Sequence, residues 1–142
     1  MKSLLLFIAL LSALTLSSSL TPSVTSAANA PRKEQALTKF NQPVQLMDKT
    51  LNGEYLFVHD DAAMARGDAC TYIYKGQTEN LNNLVVSFHC FPAQRAKAVY
   101  FSVRSALTLA GTREITEYQF AGSSEAHVVP SSPHSAHIAI TN

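Results

Sequence analysis

The chain has 142 residues, 11 basic and 10 acidic side chains, a formal charge of +1, two cysteines and no tryptophan. So even a balance gives no basic surface for nucleic acid. The length suits one domain with a modest core rather than several.

Lys2 precedes the apolar run Leu4–Leu16, and a small, polar Ser/Thr/Ala stretch reaches Ala30. A positive start and a short apolar core have the form of a secretory signal peptide. The run is short for a membrane span, which takes about 20 apolar residues. Residues 1–30 are therefore expected to be a leader, cleaved between 27 and 30, with no transmembrane segment in the mature chain. The expected location is secreted or periplasmic. Both cysteines fall in the exported part, where an oxidising compartment makes pairing the default.

After the leader, 31–40 reads as a polar N-terminal arm and 41–130 as a β domain. Residues 131–142 read as a last strand or flexible tail. Phe40–Leu46 is a first strand with Pro43 at an edge position. Asp48–Gly53 is a turn-rich link, and Glu54–His59 is strongly β-forming. Asp60–Asp68 is a loop or short helical turn. Cys70–Lys75 and Leu84–Cys90 read as a hairpin about the polar run Gly76–Asn83. Folding about Asn80 sets Tyr74 against Val86, Tyr72 against Phe88 and Cys70 against Cys90, which predicts a cross-strand disulfide. Pro92 ends that hairpin. Lys97–Arg104 alternates as a half-buried strand, Arg113–Phe120 is another, and Ala126–Val129 is short and extended. About seven short strands predict an all-β fold, a small antiparallel sandwich or partly open barrel with a disulfide-stapled hairpin.

Phe40-Asn-Gln-Pro-Val44, followed by Leu51-Asn-Gly-Glu-Tyr-Leu-Phe57, resembles the opening of short exported bacterial β-rich proteins of unknown function. Their pattern is F-x-x-P-V, then L-x-x-G-x-Y-x-F, with Asn52 alone here where the pattern has two residues. The resemblance spans residues 40 to about 91. It implies an exported β-domain and no activity.

Three groups of residues could carry function. His59 and His89, with Asp60 or Asp61, could hold a divalent transition metal, since neutral imidazole is a common ligand. Ordinary sheet or rim histidines are the plainer reading. The other histidines are His127 and, in a Ser/Pro-rich tail, His134 and His137. Tyr72, Tyr74 and Tyr100 could line an open face for a protein or glycan partner, or simply pack. Asp60, Asp61 and Asp68 lack the calcium-loop spacing. Arg66-Gly67-Asp68 reads as a turn rather than an adhesion motif. There is no G-x-S-x-G elbow, C-x-x-C-H haem motif or phosphate loop. The sequence thus leads to an exported non-enzymatic β-domain with no cofactor, a binding or structural accessory protein of the cell envelope. A periplasmic metal-binding protein using His59 and His89 comes second, and a small hydrolase third.

Overall fold

The computed structural model describes residues 30–131. The leader expected up to Ala30 and the tail bearing His134 and His137 fall, but for their inner ends, outside the described residues. Eight strands form one curled sheet, a half-barrel. They are β1 (Lys33–Leu46), β2 (Lys49–Asp60), β3 (Thr71–Lys75), β4 (Leu84–Phe88), β5 (Phe91–Gln94), β6 (Ser102–Leu107), β7 (Arg113–Gln119) and β8 (Glu125–Val128). A five-residue helix α1 (Asp61–Ala65) and a 3₁₀ turn (Leu81–Asn83) complete the described elements. None of these helices is long and apolar enough to cross a membrane.

The long β1–β2 hairpin is the spine. It replaces two sequence expectations. The arm of residues 31–40 is mostly the first part of β1, because Ala36 and Phe40 lie on its inward face and pack against the core. The link at 48–53 is mostly strand, since the reversal is made by Met47 and Asp48 between the paired Leu46 and Lys49. Pro43 sits in the irregular stretch between Phe40 and Val44, where a missing N–H breaks no regular ladder.

The sheet order is β4-β3-β2-β1-β7-β8-β5, with β6 also on β7. Pairing is antiparallel except for a single parallel register position, Gln45 beside Glu114. β4 and β5 lie at opposite ends of this order, yet only His89 and Cys90 separate them in the chain. That short link draws the two edges of the sheet together and makes it curl. Phe91–Gln94 therefore extends past the hairpin as an edge strand, with Pro92 opposite His127. The strand expected over 97–104 starts later, at Ser102, and runs to Leu107, leaving Val99 and Tyr100 exposed before it.

The hairpin register is one residue away from that expected. Tyr72 faces Ser87, and Phe88 faces Thr71. The reason is burial. A one-residue slip exchanges faces, and this register puts Phe88 beside Ile73 in the core, fully buried. The core is filled by Leu46, Leu51, Phe57, Ile73, Phe88, Ile115 and Tyr118. Phe57, Phe101, Tyr118 and Phe120 form a contiguous aromatic group, with ring centroids 5.3–5.7 Å apart along the chain of contacts.

Candidate metal centre

Beyond the aromatic group, the core ends in polar side chains. His59 is the next inward position on β2 after Phe57, because side chains alternate along a strand. Thr71 opens β3 opposite His59. Cys70 precedes it, and Cys90 lies in the link between β4 and β5. His127 comes from β8, opposite Tyr118 on β7. The curl of the sheet brings β8 across to β2, so that the His59 and His127 rings lie 4.1 Å apart between centroids.

Cys90 Sγ is the hub. It lies 3.7 Å from His59 Nδ1, 3.5 Å from His127 Nδ1 and 3.2 Å from Cys70 Sγ. A disulfide bond is about 2.05 Å long, so the two cysteines here are thiols and the hairpin is not stapled. One ligand atom from each of His59, Cys90 and His127 lies within 4.8 Å of the other two. Tetrahedral zinc has bonds of about 2.3 Å to sulfur and about 2.0–2.1 Å to nitrogen, which sets the two ligand atoms roughly 3.6 Å apart. Both sulfur–nitrogen distances match that edge.

The second nitrogens of the two rings differ. His59 Nε2 meets Asp61 Oδ1 at 3.0 Å. That leaves Nδ1 for a metal, with a carboxylate orienting the ring from behind, as is usual for ligating histidine. Asp61 is itself held, since its Oδ2 accepts from Arg32 N and Nε at 3.0 and 3.3 Å. Asp61, Arg32 and Glu125 also line a polar cavity of about 590 Å³, so the ring of His59 stands one carboxylate away from open space. His127 Nε2, by contrast, is buried and has no hydrogen-bond partner. An unpaired buried polar atom costs about 1–3 kcal/mol, which makes His127 an expensive residue to keep for packing alone.

The electrostatics follow from burial and neighbours. Burial and the nearby His59 hold His127 down at a pKa of about 4, so it is neutral at pH 7 and able to ligate. Burial opposes charge on His59, but Cys70 and Asp61 outweigh it and raise its pKa. A hydrogen bond from Cys90 lowers the pKa of Cys70, helped by His59 and by the Cys90 N–H at 3.3 Å. The same bond, with burial, raises that of Cys90. Cys70 is thus the more acidic of the two thiols, and a metal binding at Cys90 would displace the proton of Cys90.

The remaining sequence candidates fall elsewhere. Asp60 caps α1, its Oδ1 accepting from Ala62 N and Ala63 N at 2.9 and 3.1 Å. His89 is not in the group of close ligand atoms. Asp68 pairs with Arg66 at 3.0 Å across Gly67, whose φ of +83° is that of a turn. Tyr72 and Tyr74 stack at 6.5 Å on the outer face, where Tyr74 is buried beside Leu56 and Val58. Tyr100 is exposed before β6, a strand separated from β3 by β2, β1 and β7. The three tyrosines therefore do not form one row. The candidate ligands that sequence reading passed over are Cys90, taken as half of a disulfide, and His127, 68 positions from His59 in the chain with no spacing to connect them.

Cys90, His59 and Asp61 also stand in the order of a nucleophile, base and orienting acid. Cys90 is only 8% exposed and His59 2%, so an acyl substrate has little access to the sulfur. Comparison of the chain with protein-family models, curated proteins and solved structures found no match.

Proposed function

We propose that the protein is an exported β-domain that binds a transition metal through His59 Nδ1, His127 Nδ1 and Cys90 Sγ. The observation that carries this reading is the Cys90 sulfur 3.7 and 3.5 Å from two imidazole nitrogens, each distance that of a tetrahedral sulfur–nitrogen edge. Sulfur and imidazole together favour zinc or copper over magnesium or calcium, which take oxygen. Asp61 behind His59 supplies the orienting carboxylate that such sites use. The domain works by binding rather than by chemistry on a substrate, in keeping with a buried sulfur. Export to the periplasm or outside the cell is part of the proposal, resting on the leader-like first thirty residues. The Cys70–Cys90 disulfide belongs to it as the oxidised form of the same pair.

Native mass spectrometry of the reduced protein, loaded with zinc and desalted, tests the reading. One zinc ion per chain is expected, lost in Cys90→Ser and His59→Ala and retained in His89→Ala. Equal retention in Cys90→Ser and the parent protein would refute it, as would loss only in His89→Ala.

A further inference from the structure

Three ligands account for Cys90 but leave Cys70 unexplained. Its sulfur is fully buried and lies 3.2 Å from that of Cys90. It also accepts the Cys90 backbone N–H at 3.3 Å. Both cysteines lie just outside the strands: Cys70 before the first residue of β3, Cys90 in the two-residue link between β4 and β5. The sulfurs need to close by only about 1.2 Å to reach bonding distance; the Cys70 carbonyl accepts the Asp60 N–H at 2.9 Å, so the closure falls to the side chains and to the Cys90 link.

We propose that Cys70 is the redox partner of Cys90, and that oxidation of the pair releases the metal. The inference rests on the metal reading above. A small external disulfide is the oxidant. The Cys90 thiolate leaves the metal, comes within reach of solvent as the two-residue link that carries it opens, and attacks one sulfur of that disulfide. The external S–S bond breaks, and one thiolate departs with its electron pair. Cys70, as its thiolate, then attacks Cys90 Sγ. The Cys70–Cys90 bond forms, the mixed disulfide breaks, and a second external thiol leaves. Two electrons pass from the protein to the oxidant, whose two departing thiolates take their protons from solvent. The metal is left with two imidazoles, and a disulfide sulfur is no substitute for a thiolate. Reduction reverses each step and restores the site. Metal and disulfide are thereby alternative occupants of one pair of sulfurs.

The test titrates the zinc-loaded full chain with oxidised glutathione at neutral pH, without any mutation. Thiols are counted with a thiol reagent after denaturation, and free zinc is read with a chromophoric chelator. The expected result is one zinc released for each two protein thiols lost. Zinc affinity of the oxidised form should fall by roughly a hundredfold or more, and excess dithiol should restore it. Cys70→Ser, which keeps the Cys90 ligand, is expected to retain its zinc at oxidant levels that empty the parent protein. Zinc held equally tightly before and after the two thiols are lost would overturn the gate while leaving the metal reading intact. A reduced protein that takes up no zinc at all would overturn both. Release of zinc in Cys70→Ser at the same oxidant level as in the parent would also count against the gate.

Discussion

His127→Phe is expected to make the metal-free, reduced protein more stable while removing its metal. The ring sits against Tyr118 at 4.9 Å, Phe120 at 5.7 Å and His59 at 4.1 Å. Phenylalanine fills the same space and keeps those aromatic contacts. It removes the buried, unpartnered Nε2, worth about 1–2 kcal/mol of stability, and gives up only the long Nδ1 contact with Cys90 Sγ at 3.5 Å. Structural zinc sites bind with about 10–16 kcal/mol spread over four ligands, so one ligand carries about 3 kcal/mol. The variant should therefore bind zinc about a hundredfold more weakly. Gain of stability with loss of binding is the mark of a residue kept for function, not for the core.

The pH dependence sharpens that result. His127 is held down to a pKa of about 4, against 6.5 for an ordinary histidine. Below pH 6.5 the unfolded chain takes up a proton that the folded ring refuses. Stability is therefore complete above pH 6.5 and falls as the pH drops towards 4, by about 3 kcal/mol from this residue. His59 acts in the opposite sense. Its folded pKa is raised, so its contribution is full below pH 6.5 and is lost as the pH rises through the folded value. In the parent protein the two effects fall in separate windows, that of His127 below pH 6.5 and that of His59 above it. In His127→Phe the His127 term is gone while those of His59 and of Cys70, whose pKa is lowered, remain, so acidification from pH 6.5 to 5 should weaken the fold by about 2 kcal/mol less than in the parent. Urea unfolding in chelator at pH 7.5, 6 and 5 measures the difference directly.

The second large effect is structural. Phe57→Ala should cost about 3–5 kcal/mol, a large share of the total stability of a domain this size. Phe57 is fully buried and touches Phe40, Phe101 and Tyr118, at 6.4, 5.3 and 5.5 Å between centroids. Those rings come from β1, the segment before β6, and β7, so the side chain ties three parts of the curl to β2. It is also the inward neighbour of His59 on its strand. The loss should appear as a fall in the urea midpoint with an unchanged m-value. Leu37→Ala, on the outward face of β1 and 46% exposed, serves as the control, with a change of about 0.5 kcal/mol or less.

The β character of the chain was legible from alternation and turn residues, and the strands at Glu54–His59 and Arg113–Phe120 were placed well. β1 was harder to read from residue 31. Its inward positions include Glu34, Ala36 and Thr38, so the period-two signal is weak until Phe40. The hairpin register was out by one, because the 3₁₀ turn at Leu81–Asn83 shifts the point of reversal away from Asn80. The meeting of Cys70 and Cys90 survived that error, since Cys90 lies beyond the ladder and its sulfur can still reach its partner. The metal group could not be assembled from the sequence. It depends on the curl that carries β8 over β2, and that curl follows from long-range pairing of β7 with β1 and of β8 with β5 and β7. Pairing of the cysteines as the default also hid the thiolate role of Cys90.

Cobalt(II) titration of the reduced protein, followed by absorption spectroscopy, tests the central claim most directly. Binding through Cys90, His59 and His127 should saturate at one cobalt per chain. It should give a sulfur-to-cobalt charge-transfer band in the near ultraviolet and intense visible bands from a tetrahedral ion, both lost on adding zinc. Weak, non-saturating visible bands with no charge-transfer feature would contradict the account, because cobalt would then be bound without the sulfur on which the site is centred.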